Sequence, residues 1–432
     1  MKKIIVAGAG HGGLAAAALL AKQGYDVTVI EAKKRAEMGY DWHDVMVKGA
    51  LTDAGFSLPE ETAFKSFANT SYLSPSQKTE IVEPYRVSQY SAYVDRQFLL
   101  RHLLAEAEEA GVTLRFGVKI VSVACDCDKV TGIRVTERGR IKEYSGDLVI
   151  DAAGIDSPVR RTLPGSFGVP NEIGEKETFY TWRAYFENTE QKLSDPTNRV
   201  FFYHNGRPGM DWAITDEAFV DILVGGFGPI DQEDVDRAVE DFRSLYPYMG
   251  KMIRGGQFAK IPLRRTLPLL VANGYAAIGD SAAMTEPLSG SGISLSLRAG
   301  RCLADAVAAA GEKALTAEVL WPYQYSYYQK YGNSQIANDV LKGVLNHLTP
   351  KDVDFLLDAK ILTIKEIASG GVPQYKIKEL LDKLNLIKKP KIIPGLARAL
   401  AHLTQIDAVC AKMPEAYDPK AVAAWRKAYE AL

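Results

Sequence analysis

The chain opens with the segment that decides its fold, Ile4-Ile5-Val6-Ala7-Gly8-Ala9-Gly10-His11-Gly12-Gly13. Its apolar half predicts a strand, and the small residues at positions 14–20 predict a helix that leaves the turn. Gly8 permits a tight turn, Gly10 lets the backbone approach a pyrophosphate, and Gly13 lets the helix pack closely on the strand. The helix N-terminus offers backbone N–H groups and a positive dipole end to phosphates. The pattern therefore predicts a bound dinucleotide.

A second predicted strand, residues 26–30, ends in Glu31. An acidic residue about 20 positions after the glycines is suited to accept hydrogen bonds from ribose hydroxyls. Strand, glycine turn, helix, strand and acid together form one βαβ unit, which is more specific than the glycines alone. The alternative is a tight strand-to-helix turn without a ligand.

Composition describes an ordinary globular protein with a large core. Of 432 residues, 47% are hydrophobic and 24% are charged, with a formal net charge of -1. This balance gives no overall attraction to nucleic acid, so no nucleic-acid partner is expected. Four cysteines (Cys125, Cys127, Cys302 and Cys410) are typical of a reducing compartment and lack metal-ligand spacing, so we expect a cytoplasmic protein without a metal.

Three later segments carry further signals. Asp95-Arg96 leads into a predicted amphipathic helix, and residues 146–154 predict a buried strand that breaks at Gly154. The third segment contains Gly279-Asp280, whose carboxylate suits a ribityl or ribose hydroxyl. It is followed by a Gly290/Gly292 turn that offers backbone donors to a ring carbonyl or a phosphate.

Taken in this order, the motifs resemble the para-hydroxybenzoate-hydroxylase-like flavoproteins, and most closely their geranylgeranyl reductase branch. The resemblance covers roughly residues 1–335. It implies FAD as cofactor and an α/β fold, in which a Rossmann-like FAD-binding domain is interleaved with an antiparallel-sheet substrate domain and followed by a helical C-terminal tail.

The expected domains are discontinuous. Residues 1–48, 88–162 and 263–335 would form the FAD-binding domain, and residues 49–87 and 163–262 the substrate domain. Residues 336–432 would form the helical C-terminal region. Within 163–262, aromatic strand candidates separated by turn signals predict an antiparallel sheet with one face over a cavity.

The resemblance also implies roles for individual residues. The glycines would hold the pyrophosphate, Glu31 the adenosine ribose, and Arg96 and Asp280 the phosphate or ribityl region. The full predicted cofactor-binding set is Gly8, Gly10, His11, Gly12, Gly13, Glu31, Ala32, Arg96, Ile120, Gly154, Asp280, Pro287, Gly290, Gly292 and Ile293. The His11 side chain either touches the cofactor or points to solvent, and Arg160 is either a ligand contact or a surface charge.

The segment Met38-Gly39-Tyr40-Asp41-Trp42-His43-Asp44 is the most chemically loaded outside the cofactor motifs. His43, with a pKa expected near neutrality, is the candidate proton donor, and Tyr40 or Asp44 would orient it. In the alternative interpretation, Trp42 packs a domain joint and His43 is solvated. His204 is a minor candidate. Geranylgeranyl reductases often carry a cysteine in this neighbourhood, whereas this segment contains none.

The predicted substrate pocket contains Trp42, Tyr203 and Trp212. Geranylgeranyl reductases commonly show Tyr-x-Trp-x-Phe-Pro at this hairpin, whereas this chain has Met210-Asp211-Trp212-Ala213-Ile214-Thr215. Only Trp212 keeps its place, which leaves an isoprenoid substrate open.

The main hypothesis is an FAD enzyme that reduces a carbon–carbon double bond of a small apolar, aromatic or conjugated substrate. Reduced flavin would deliver hydride from N5, and His43 or Tyr40 would protonate the neighbouring carbon. The alternatives are an aromatic monooxygenase that uses NAD(P)H and oxygen, and a flavin-free escort for a lipidated partner. The electron donor, whether NAD(P)H, ferredoxin or another flavoprotein, stays open.

The tail contains a basic, apolar stretch at residues 384–398. Such a stretch either packs on its own protein or lies peripherally on an anionic membrane surface.

Overall fold

The computed structural model describes residues 1–47, 49–58, 64–65, 70–83, 91–358 and 393–432. The strands are β1 (Lys3–Ala7), β2 (Asp26–Glu31), β3 (His43–Val47), β4 (Phe64–Lys65), β5 (Thr70–Leu73), β6 (Glu80–Glu83), β7 (Ser91–Asp95), β8 (Thr113–Phe116), β9 (Lys119–Asp126), β10 (Lys129–Glu137), β11 (Arg140–Ser145), β12 (Leu148–Asp151), β13 (Thr178–Asn188), β14 (Asn198–Phe202), β15 (Met210–Thr215), β16 (Phe219–Phe227), β17 (Met249–Pro262), β18 (Val271–Ala272) and β19 (Tyr275–Ala277).

The α-helices are α1 (His11–Lys22), α2 (Ala50–Asp53), α3 (Arg96–Glu109), α4 (Pro158–Arg161), α5 (Gln232–Leu245), α6 (Ile293–Ala310), α7 (Ala317–Tyr327), α8 (Asn333–Leu345), α9 (Pro350–Asp358), α10 (Ile393–Ala411) and α11 (Pro419–Glu430). A π-helical turn (Tyr328–Gly332) joins α7 to α8.

A six-stranded sheet in the order β18-β19-β12-β1-β2-β8 forms the first layer, and it is parallel except for the β18–β19 pair. Its central strands are buried on both faces, which explains their continuous apolar sequences. Ala7 pairs with Asp151, and Asp151 pairs with Ala277. The carboxyl ends of three strands therefore meet at one edge, where such sheets bind ligands.

A seven-stranded sheet in the order β17-β13-β16-β15-β14-β5-β6 forms the second layer. Alternate residues of β13 serve its two faces: Trp182 and Phe186 pack with α5 residues such as Phe242, whereas Phe179 and Arg183 line a cavity. The predicted antiparallel sheet over a cavity is confirmed, with one exception. Strand β5 runs parallel to β14, because it comes from a distant segment and no hairpin fixes its direction.

The predicted α/β fold class is thus confirmed, including the helical C-terminal tail. Strands β5 and β6, from within residues 49–87, join the seven-stranded sheet; the domain boundaries themselves stay a prediction. The remaining strands of the described residues form two three-stranded sheets, β11-β10-β9 and β3-β7-β4.

The C-terminal helices dock on the core around the six-stranded sheet through aromatic residues. Trp425 and Tyr429 are buried and pack against Tyr328, and the Trp321 indole donates to the Pro414 carbonyl at 2.8 Å. Most of the predicted basic stretch, residues 384–392, lies outside the described residues. No helix within the described part of the chain is long and apolar enough to cross a membrane.

We expect Trp425→Ala to destabilise the protein by about 3–5 kcal/mol, because it removes a large side chain that is 2% exposed and leaves a cavity beside two tyrosines. The midpoint of thermal unfolding measures the effect. Leu245→Ala is the control, since Leu245 is 47% exposed and its truncation should change stability by no more than about 0.5 kcal/mol. Equal midpoints for the two variants would contradict the described docking.

Candidate cofactor and substrate site

The glycine turn after β1 is shaped by close backbone approaches. Gly8 has φ +103°, and a Cβ placed on it would lie 2.4 Å from the Ala152 carbonyl oxygen. A Cβ on Gly13 would lie 2.5 Å from the Gly8 oxygen, so both positions require glycine for packing. Gly10 differs, because its nearest neighbour would lie 4.0 Å away and its backbone faces the cavity. The turn therefore leaves space for a ligand at Gly10.

Glu31 ends β2 and lies against the same turn. Its carboxylate accepts hydrogen bonds from Ala9 N and Lys33 N, each at 2.8 Å. An ionised carboxylate has about four acceptor positions, so further hydrogen bonds from ribose hydroxyls can be accommodated.

A cluster of charged and polar groups lines the cavity next to the turn. Arg96 Nη1 lies 2.9 Å from Asp44, and burial raises the pKa of Asp280, with Arg96 opposing and Asp44 adding to the shift. Among the described residues, Arg96 Nε and His11 Nε2 are buried without a hydrogen-bond partner. Buried polar groups are normally satisfied, so these two nitrogens fit an anionic ligand such as a pyrophosphate. His11 is 6% exposed and does not point to solvent.

The loop that precedes α6 is organised by one buried carboxylate. Glu286 accepts hydrogen bonds from Leu288 N at 3.0 Å, Ser289 N at 2.6 Å and Asn338 Nδ2 at 2.7 Å. The loop consequently presents the backbone of residues 287–293 to the cavity, where the ring-binding residues were predicted. The role of Glu286 was missed, although its place in Thr285-Glu286-Pro287 before a glycine-rich turn is a usable signal.

All these groups line one cavity of about 3070 Å³. Pockets for a single small ligand occupy roughly 300–1,000 Å³, so this cavity has room for FAD and a second molecule. Most of the predicted cofactor residues line it, but Ala32 and Ile120 do not. Ile120 is buried in the core and Ala32 is exposed. No group of potential metal ligands occurs among the described residues.

The far wall of the cavity is the open face of the seven-stranded sheet. Its side chains are largely apolar and include Phe179, Val200, Phe202, Met210, Trp212, Ile214 and Leu223. Tyr203 also lines the cavity, and its hydroxyl donates to the Leu348 carbonyl at 2.7 Å. Trp42 stacks on Tyr40 with ring centroids 4.3 Å apart. The structure thus brings the three predicted pocket residues to one cavity.

His43 lines this cavity but differs from the prediction. It is 8% exposed and stacks on Tyr93 with ring centroids 4.7 Å apart. Burial and the nearby Arg254 guanidinium lower the pKa of His43 to about 4. The expected pKa near neutrality is therefore wrong, and His43 is neutral at pH 7.

The partner of His43 also differs from the prediction. Tyr185, not Tyr40 or Asp44, contacts the imidazole: its hydroxyl lies 3.2 Å from Nδ1 and accepts from His43 N at 2.9 Å. His43 and Asp44 are consecutive in β3, so their side chains point to opposite faces, and Asp44 pairs with Arg96. Tyr40 is held by Trp42 and by the Arg96 guanidinium, 5.0 Å from its ring.

Behind His43 lies a buried ionic network that the sequence analysis missed. Arg183 bonds to Asp221 through Nε at 2.8 Å and Nη2 at 2.5 Å, and to the His43 carbonyl through Nη1 at 2.6 Å. Tyr93 bridges the pair, accepting from Arg183 Nη2 at 2.9 Å and donating to Asp221 at 2.8 Å. Burial opposes the charge on Arg183, but Asp221, Tyr185 and Tyr93 together outweigh it and raise the pKa of Arg183. The sequence offered one signal for this network: Arg183 and Asp221 are charged residues inside the otherwise largely apolar strands β13 and β16.

Two other candidates have structural roles. Arg160 is fully buried and bonds to the carbonyls of Ser281 at 2.6 Å and Ile155 at 2.5 Å, so it is neither a surface charge nor a cavity residue. His204 pairs with Asp211 at 2.7 Å, packs on Phe242 and lies away from the cavity lining.

Comparison with known proteins supports FAD as the cofactor. Residues 3–156 match the family model of FAD dependent oxidoreductases. The chain is 22% identical to the digeranylgeranylglycerophospholipid reductase of Sulfolobus acidocaldarius, over 98% of this chain and 95% of that protein. It is 24% identical to digeranylgeranylglycerophospholipid reductase 1 of Methanococcoides burtonii, over 88% and 90%.

Solved structures share the fold. A geranylgeranyl bacteriochlorophyll reductase-like protein from Thermoplasma acidophilum has a TM-score of 0.72 at 18% identity, covering 92% of this chain and 99% of that one. PqsL, a probable FAD-dependent monooxygenase from Pseudomonas aeruginosa, has a TM-score of 0.59 at 21% identity, covering 83% and 99%. The resemblance to the geranylgeranyl reductase branch and the prediction of FAD are both confirmed.

We expect Gly10→Ala to fold normally but to lower FAD affinity by about tenfold or more, or about 1.4 kcal/mol, because its methyl group enters the space that the pyrophosphate needs. Titration of the refolded apoprotein with FAD measures the change. Gly165→Ala is the matched control, since a Cβ there meets nothing within 4 Å and lies outside the cavity lining. Unchanged affinity in Gly10→Ala would rule out pyrophosphate binding at this turn.

The lowered pKa of His43 also has a consequence for stability. The unfolded chain gains a proton on His43 below pH 6.5 but the folded chain only near pH 4, so folding stability falls as the pH drops through this window. We expect His43→Asn to lose part of that pH dependence in unfolding midpoints. His102→Asn, a substitution at a half-buried position that leaves His43 in place, should retain it. Identical pH profiles for the two variants would contradict the described burial.

Proposed function

We propose that this chain, an FAD-dependent oxidoreductase, reduces carbon–carbon double bonds in the isoprenoid chain of a lipid. The observation that carries the proposal is the apolar sheet face that lies opposite the glycine turn and the loop before α6 in one cavity. A hydrocarbon chain can be bound there by the hydrophobic effect, next to the position that the residues prepare for a flavin.

The difference between this chain and the Tyr-x-Trp-x-Phe-Pro motif is compatible with an isoprenoid substrate. Met210 and Ile214 replace aromatic residues but still line the cavity together with Trp212. The wall therefore remains apolar, and a flexible methionine adapts easily to an irregular chain. The similar reductases from Sulfolobus acidocaldarius and Methanococcoides burtonii are named for digeranylgeranylglycerophospholipid, an isoprenoid lipid, which supports the same substrate class.

FAD would be held by the glycine turn, Glu31, Arg96, Asp280 and the loop at residues 287–293. When bound and reduced, it supplies a hydride equivalent. The chain's own contribution is to hold a double bond against the ring, to exclude water with the sheet face, and to supply a proton. His43 remains the proposed proton donor, although Tyr185 rather than Tyr40 or Asp44 positions it.

The electron donor is a nicotinamide, a ferredoxin or another flavoprotein in this proposal. Peripheral contact with a membrane surface would bring a lipid substrate to the cavity.

The activity test bypasses the donor by using dithionite. FAD-loaded protein, reduced without oxygen and mixed with a geranylgeranylated glycerophospholipid, should yield product that gains one H₂ for each double bond reduced, as read by mass spectrometry. A phenolic substrate with NADPH and oxygen serves as the comparison reaction. Hydroxylated phenol together with unchanged lipid would establish a monooxygenase instead.

A further inference from the structure

The hydroxyl of Tyr185 has one proton to donate and two possible hydrogen-bond acceptors. Tyr185 is fully buried and already accepts a hydrogen bond from His43 N at 2.9 Å. Its single proton can go to His43 Nδ1 at 3.2 Å or to the Tyr93 oxygen at 3.3 Å. The acceptor to which Tyr185 donates therefore determines which ring nitrogen of His43 carries the hydrogen.

The surrounding charges favour donation to His43. The Tyr93 oxygen already accepts from the Arg183 guanidinium at 2.9 Å, which makes it a poorer acceptor than an imidazole lone pair. The guanidinium groups of Arg183 and Arg254 also lie 5.6 and 5.0 Å from the Tyr185 ring. Two nearby positive charges strengthen a phenol as a hydrogen-bond donor.

We propose that Tyr185 donates to Nδ1 of His43, which keeps the hydrogen of the neutral imidazole on Nε2, the nitrogen left to face the substrate. Tyr185 is then a positioning residue and the immediate source of a replacement proton. This inference rests on the proposed reductase function for its catalytic part. The tautomer itself follows from the geometry alone.

The proton balance of the proposed step is simple. Bound, reduced FAD would supply a hydride to one alkene carbon and be oxidised in doing so, and the neighbouring carbon forms a C–H bond with the Nε2 proton of His43. The Nε2–H bond breaks, Nδ1 takes the proton of Tyr185, and the Tyr185 O–H bond breaks. The phenolate forms only transiently, because burial raises the pKa of Tyr185 despite the nearby Arg183 guanidinium, and water returns the proton.

A neutral imidazole suits this role. The charged groups that face His43 are Arg254 and Arg183, which oppose its protonation, and Asp95 and Asp221, which favour it. Burial and the two arginines outweigh the two carboxylates and lower the pKa of His43 to about 4. An uncharged histidine can donate a catalytic hydrogen bond, as does the neutral histidine of triosephosphate isomerase, whose pKa is lowered by its surroundings.

The first test reads the tautomer without any activity. Protein labelled with ¹⁵N on the histidine side chains is measured by NMR at neutral pH, and the His43 signals are identified by their loss in His43→Asn. We expect a protonated Nε2 and a bare Nδ1. A proton on Nδ1 of His43 in the wild-type protein, with or without a proton on Nε2, would overturn the proposal.

The second test uses Tyr185→Phe, which removes only the hydroxyl. We expect the rate of lipid reduction by the pre-reduced enzyme to fall by about a hundredfold or more, while the FAD affinity stays unchanged. The neutral imidazole of His43 should no longer favour the tautomer with its hydrogen on Nε2. Tyr323→Phe is the matched control, because it deletes an equally buried hydroxyl that bonds to the Ala277 carbonyl at 2.7 Å, outside the cavity lining.

A Tyr185→Phe rate within about twofold of wild type, or an equal loss in Tyr323→Phe, would refute the role of Tyr185. If the wild-type enzyme reduces no isoprenoid lipid, the proposed function and the proton supply fail together. The NMR result would still decide the tautomer, so the two failures are distinguishable.

Discussion

The approach of the glycine turn to the end of β12 is the constraint on which the site depends. Gly8 at φ +103° lies so close to Ala152 that any side chain would collide with its carbonyl oxygen. This contact brings the carboxyl ends of β1 and β12 to one edge and points the N-terminus of α1 at the cavity. Glu31 and Asp280 reach the same edge from the strands on either side.

The two walls of the cavity have opposite chemistry, and each is stabilised differently. The cofactor wall has polar groups without protein partners, such as Arg96 Nε and His11 Nε2, which a bound anion would satisfy. The substrate wall is largely apolar, but a buried network centred on Arg183 and Asp221 is embedded in it, with Arg183 and Tyr93 in the cavity lining. Removing one member of such a pair leaves an uncompensated charge, so the network fixes the geometry of the wall.

The sequence predicted the parts that depend on local pattern. The turn around Gly10, the acid at Glu31 and the strand ends near Asp280 have fixed spacing and fixed mechanical reasons, and the fold follows from them. Pairs between distant strands were not predictable. The contact of Tyr185 with His43 depends on how β13 lies beside β3, which a single sequence does not reveal. The predicted pKa of His43 was wrong for the same reason, because the burial of His43 depends on tertiary packing.

Anaerobic single-turnover spectroscopy tests the central claim most directly. The flavin of the dithionite-reduced protein is followed by its absorbance after excess reductant is removed and a geranylgeranylated lipid is added in the absence of oxygen. The account predicts that the oxidised flavin spectrum returns at a rate that rises with lipid concentration until it saturates. A flavin that stays reduced until oxygen is admitted, whatever the lipid concentration, would contradict the account.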